Sequence, residues 1–260
     1  MRFEFLNKIA APLRKRSCFW YIVWFCLFFI VPCLLIDILK GINSGAILPD
    51  TSLFIFYANT TNPSSSSLFL TNFVHKDWAH CFSNIWVYWG FIALIFIFET
   101  YWLLLKEKDR TENFFYYSVL LFFLVFPFSI SGVSLMIFRI IGGTGFNGFS
   151  GIVAAFIGYF WFLFYNLYFL ERDWVLKSKP NIVKIMDIFM IVCFFIPILF
   201  SIFICLLSYD NLGGHTIGYV LGFFSSFGMY LSRNKRYDKI IISLLFTIFI
   251  WITSTFWIFF

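Results

Sequence analysis

Gly142–Gly158 reads GGTGFNGFSGIVAAFIG. A glycine-rich approach delivers one serine, Ser150, to the mouth of a run in which nothing charged lies between Ile140 and Leu170. An apolar run of this kind has the length of a bilayer-spanning helix, which needs about 20 residues. At the mouth of such a helix the free N–H groups and the positive dipole end point outward. A hydroxyl there can cap the helix. Given a base, it can instead act as a nucleophile with a developing oxyanion stabilised beside it. The glycines ahead of it permit positive φ and close backbone approach. Gly148-Phe149-Ser150-Gly151 is not the five-residue nucleophile elbow of soluble hydrolases, because position 152 is Ile.

Composition places this run in a membrane protein. The chain has 260 residues, 61% of them hydrophobic and 12% charged, with 41 Phe. Soluble domains carry about 25% charged residues, and no water-soluble fold of this size hides so much apolar surface. The net charge of +6 is therefore not a nucleic-acid signal; it marks the loops that stay cytoplasmic. The six cysteines include no CxxC pair and read as small buried hydrophobes.

Seven apolar runs follow one another: Cys18–Leu39, His80–Leu105, Asn113–Phe138, Ser150–Leu170, Ile185–Leu207, His215–Leu231 and Ile240–Ile258. The first is too long for a signal-peptide core and is read as a retained span. Pro127 and Pro197 lie inside spans and predict kinks. Between the first two runs, 40–79 is polar and contains the low-complexity patch NTTNPSSSS. Of the 19 Lys and Arg residues, all but Lys40, Lys76 and Arg139 fall in segments 1–17, 106–112, 171–184 and 233–239. That alternation predicts a cytoplasmic N-terminus and an external C-terminus. The fold class is an all-α polytopic transmembrane helical bundle. It comprises a basic segment 1–17, a six-helix core 18–232, and a linker with a seventh helix over 233–260.

With this topology the second, fourth and sixth runs all enter from the outer face. Their first turns hold His80 and Asn84, then Ser150, then His215. His80 and Asn84 are four apart and share a helical face. His215 follows Gly213-Gly214, and Gly218-x-x-x-Gly222 gives its helix a smooth face. Ser150, Ala154 and Gly158 form a matching stripe. Packing the two faces brings Ser150 towards His215, which would then serve as general base. The same residues also fit a glycine-packed helix pair with a capping serine and a rim histidine. No carboxylate or cysteine completes a metal site with His75, His80 and His215, and HExxH is absent, so no metal is expected.

Taken together, His75-x-Asp77-x-x-His80-x-x-x-Asn84, Gly148-Phe149-Ser150-Gly151 and His215-x-x-Gly218-x-x-x-Gly222 resemble the rhomboid family of intramembrane serine proteases. The resemblance covers roughly residues 18 to 232, and the last run resembles the extra span of its six-plus-one members. It implies a Ser150–His215 dyad without an acidic third member. It implies an oxyanion site made by His80, Asn84 and the Ser150 backbone N–H. Gly148, Gly151, Ala154, Gly158, Gly218 and Gly222 would pack the helices around it. Substrates would be transmembrane proteins met within the lipid bilayer and cut in or near their spans. No cofactor and no nucleic acid are implied, and the site would face outwards. The chain departs from the family pattern at Ala154, where an aromatic residue commonly stacks on the histidine. It departs again in the first loop, where Trp78 is not followed by arginine. Two other readings stand beside this one. A rhomboid-like protein could bind membrane helices without cutting them. A small transporter would need charged groups near the midplane, and Glu99, Asp187 and Asp37 lie near run ends instead.

Overall fold

The computed structural model of the chain describes residues 18–43, 58–59, 65–75, 77–106, 111–141, 145–146, 148–178, 185, 187–189, 192 and 212–233. Almost all of them are helical. In chain order they form α1 (Cys18–Asn43), the two-residue strand β1 (Ala58–Asn59), α2 (Ser65–Leu70), α3 (Trp78–Lys106), α4 (residues 111–141), β2 (Gly145–Phe146), α5 (Ser150–Ser178) and α6 (Leu212–Arg233). Among the described residues, four helices are long and apolar enough to cross a membrane: Cys18–Asn43, Trp78–Thr100, Phe115–Ile137 and Ser150–Tyr168. They are compatible with a multi-pass integral membrane protein. The run expected at Ile185–Leu207 lies largely outside the described residues, and the one at Ile240–Ile258 wholly so.

α5 is the central helix. From Ser150 to Phe156, and again at Gly158, Tyr159, Phe162 and Leu163, its residues are buried, as expected of a helix apolar on every side. α3, α4 and α6 surround it, and its longest contact is with α6. Edge-to-face aromatic pairs fill the α3–α5–α4 seam, with ring centroids 5.4 Å apart for Tyr88–Phe156 and 4.9 Å for Phe122–Phe156. α1 lies outside α3 and α4, where Trp24 stacks on Phe115 at 4.6 Å. Outward-facing apolar side chains such as Phe19 (57% exposed) and Trp86 (69%) suit lipid rather than water.

Proline breaks two of the helices in the same way. Pro32 has no N–H, so the Phe28 carbonyl loses its usual donor. The helix opens into a π turn at Cys26–Ile30, and the Val31 N–H passes over Leu27 to reach the Cys26 carbonyl. Side chains of α3 take the two freed carbonyls: Tyr88 Oη donates to Leu27 at 2.9 Å, and Trp89 Nε1 donates to Phe28 at 2.8 Å. In hydrocarbon these groups have no water to fall back on, so the break ties α1 to α3. Pro127 likewise follows a π turn at Leu121–Val125 in α4.

The polar first loop is more ordered than its composition suggests. α2 and the 3₁₀ turn Thr71–Phe73 dock on α4 at Pro127. Asn72 Nδ2 sits 3.1 Å from the Pro127 carbonyl and 2.7 Å from Ser131 Oγ, while Ser131 Oγ donates to the Leu68 carbonyl at 2.6 Å. Further along, β1 and β2 pair antiparallel, with Ala58 opposite Phe146 and Asn59 opposite Gly145. The loop ahead of Ser150 is thus stitched to the loop between α1 and α3.

Candidate functional site

α3 begins at Trp78, two residues ahead of the expected His80, because Asp77 caps it. The Asp77 carboxylate accepts the His80 N–H at 2.8 Å, and its carbonyl accepts the Cys81 N–H at 3.1 Å. The cap fixes His80 in the first turn, with its ring edge-on to His75 at 5.4 Å and 87°.

Gly148 then brings the next element in. Its φ is +130°, a conformation that side chains rarely adopt. Its N–H donates to the Thr71 carbonyl at 2.9 Å. A Cβ placed on Gly148 would lie 3.2 Å from His80 Cε1 and 3.8 Å from Ser150 Oγ. The His80 ring and the Ser150 hydroxyl therefore flank one glycine that has no side chain to separate them.

Ser150 opens α5, and its hydroxyl does not cap the helix. The Ile152 and Val153 N–H groups both bond to the Phe149 carbonyl, at 3.0 Å each. Ser150 is 8% exposed, and its Oγ has no hydrogen-bond partner among the described residues. A buried hydroxyl without a partner is costly, so the capping role does not account for a serine at this position.

α6 brings His215 alongside by contact of bare backbones. A Cβ on Gly218 would collide with the Gly151 carbonyl, one on Gly222 with the Ala155 carbonyl, and one on Gly158 with the Tyr219 carbonyl. A Cβ on Gly151 would lie 3.5 Å from the Gly214 carbonyl. The residues next to Ser150 and His215 thus touch, and the two helices begin at the same end of the bundle. Ala154 belongs to this contact, its Cβ 3.3 Å from a Cβ built on Gly218. His215 is half-buried. No hydrogen bond joins it to Ser150, whose Oγ is unpartnered.

Asn84 is buried and faces His75, with Nδ2 3.1 Å from His75 Nε2. His75 is the participant that the sequence pattern did not single out for a task. It is 2% exposed, and the Phe149 N–H reaches the same Nε2 at 3.5 Å. Burial, and then the nearby His80, lower its pKa to about 4, while Asp77 acts to raise it. The ring is therefore neutral at pH 7. The signal that would have found it is its place two residues before the capping Asp77, on the loop that must close over the start of α3.

No protein-family model matches the sequence, and no curated protein matches it.

Proposed function

We propose that the chain is a rhomboid-like intramembrane serine endopeptidase with a Ser150–His215 dyad, built as a six-helix core with a seventh helix after it. The observation that carries this reading is the buried Ser150 hydroxyl, unpartnered among the described residues and held at a helix mouth beside the His80 ring and the glycine-packed start of α6. Ser150 Oγ attacks the scissile carbonyl carbon while His215 takes its proton. The oxygen that becomes negative is received by the Ser150 backbone N–H, the His80 ring and an amide N–H of Asn84. Collapse breaks the C–N bond, and His215 returns the proton to the leaving amine. Water then hydrolyses the Ser150 ester through the same relay. The Ser150–His215 hydrogen bond closes when substrate is bound, since catalytic hydrogen bonds are often long in the free enzyme. The Lys and Arg distribution supports a cytoplasmic N-terminus with the site towards the outer face. Substrates are transmembrane proteins with a loosened helix near the cut.

The open Ser150–His215 contact favours one rival, a rhomboid-like protein that binds membrane helices without cutting. A cleavage assay in liposomes with a single-span substrate separates the two. Wild type cleaves, whereas Ser150→Ala and His215→Ala do not. Wild type that retains the substrate intact, equally with the variants, supports the rival instead.

A further inference from the structure

The turn in front of Ser150 is held by a side chain to which the dyad gives no task. His75 sits between the 3₁₀ turn and α3, buried, with Nε2 facing two donors at once: the Asn84 amide at 3.1 Å and the Phe149 N–H at 3.5 Å. Phe149 N–H can only donate, so an Nε2 that accepts it leaves the ring proton on Nδ1, which is buried without a partner among the described residues. An accepting Nε2 also decides how the Asn84 amide is turned, because its NH₂ edge and not its oxygen then faces His75. One N–H of Asn84 is committed there, which leaves the other for the oxyanion.

We propose that His75 is a positioning residue: through an unprotonated Nε2 it fixes both the backbone turn that carries Ser150 and the orientation of the Asn84 amide. The role rests on the protease reading. A proton on Nε2 would set donor against donor at both contacts and release the turn and the amide together. Among the described residues, the titratable groups acting on this ring are His80 and Asp77, both at the start of α3. The α5 side offers it the Phe149 N–H.

The chain contains three histidines, so ¹⁵N-histidine spectra of the full chain in detergent can be assigned with His80→Ala and His215→Ala. The His75 signal should show the Nδ1–H tautomer and stay neutral down to about pH 4. In parallel, His75→Leu keeps bulk without an acceptor, and His75→Gln restores an acceptor. Fluorophosphonate labelling of Ser150 should slow about 10- to 100-fold in His75→Leu, with most of the rate restored in His75→Gln. KM for a transmembrane substrate should be unchanged in both, because His75 is buried, only 2% exposed. An Nε2–H tautomer, titration near the ordinary histidine value, or wild-type labelling in His75→Leu would overturn the proposal. Equal loss in the Leu and Gln variants would reduce His75 to packing and overturn it as well. Wild type that never labels condemns the nucleophile assignment instead, and the tautomer still reports whether the tether exists.

Discussion

Gly148 is the residue on which the site turns, because two requirements meet there. Its φ of +130° disfavours any side chain, and its missing Cβ leaves room for His80 Cε1 and Ser150 Oγ. Gly148→Ala should cost about 1–3 kcal/mol of stability. It should also slow labelling of Ser150, because relief of the strain shifts the turn. A variant with wild-type melting and labelling would show that the turn is not constrained. His75 makes a second test at this scale. Its folded pKa, about 4, lies below the ordinary value of 6.5, so the unfolded chain binds the proton more readily. Stability contributed by the neutral ring is then complete above about pH 6.5 and falls as pH drops towards 4. The loss by pH 4 is at most about 3 kcal/mol. Unfolding midpoints measured across that range should lose this component of the slope in His75→Gln. The site's polar members were legible in the sequence because each sits at the mouth of an apolar run. Their partners were not: nothing local says that Asn84 meets His75, and only the tertiary fold brings the two together.

Between elements, the α5–α6 contact was readable because glycine and alanine recur four residues apart on both helices, and that spacing has one use in hydrocarbon. The contact is also where substitutions should separate. Gly218→Val sets a side chain into the Gly151 carbonyl and forces the helices apart. It should destabilise by about 1–3 kcal/mol or more and open the Ser150–His215 approach. Gly90→Ala places a Cβ where nothing lies within 4 Å. It should be neutral or stabilise α3 by up to about 1 kcal/mol, the helix-propensity difference. Thermal melts of the two variants in detergent check the contrast, and equal effects would deny the close approach. Other parts of the elements were hidden from the sequence. α2 begins inside the low-complexity patch NTTNPSSSS, yet Ser67, Leu68 and Asn72 are buried, and Asn72 bonds to the Pro127 carbonyl of α4. Nothing local specifies that docking. The π turns at Cys26–Ile30 and Leu121–Val125 follow from proline, but Tyr88 and Trp89, which take the carbonyls freed at the first of them, lie on another helix.

Over the whole molecule, the class of fold was fixed by composition, since so few charges leave most of the surface to lipid. Inside that lipid-facing shell, several buried polar groups pair across helices. Glu99 is buried near one end of α3 and accepts from Tyr159 of α5. Asn72 and Ser131 tie the first loop to α4. Among the described residues Ser150 Oγ is buried without a partner, as are Ser134 Oγ and Ser225 Oγ, but it alone of these hydroxyls opens a helix beside the His80 ring, and the protease reading rests on its being reserved for chemistry. The most direct measurement is peptide mapping of the chain after reaction with a fluorophosphonate in detergent. The account predicts a single adduct on Ser150, lost when His215 is replaced by Ala and absent from unfolded protein. An adduct on another residue, or a Ser150 adduct formed as fast without His215, would contradict it.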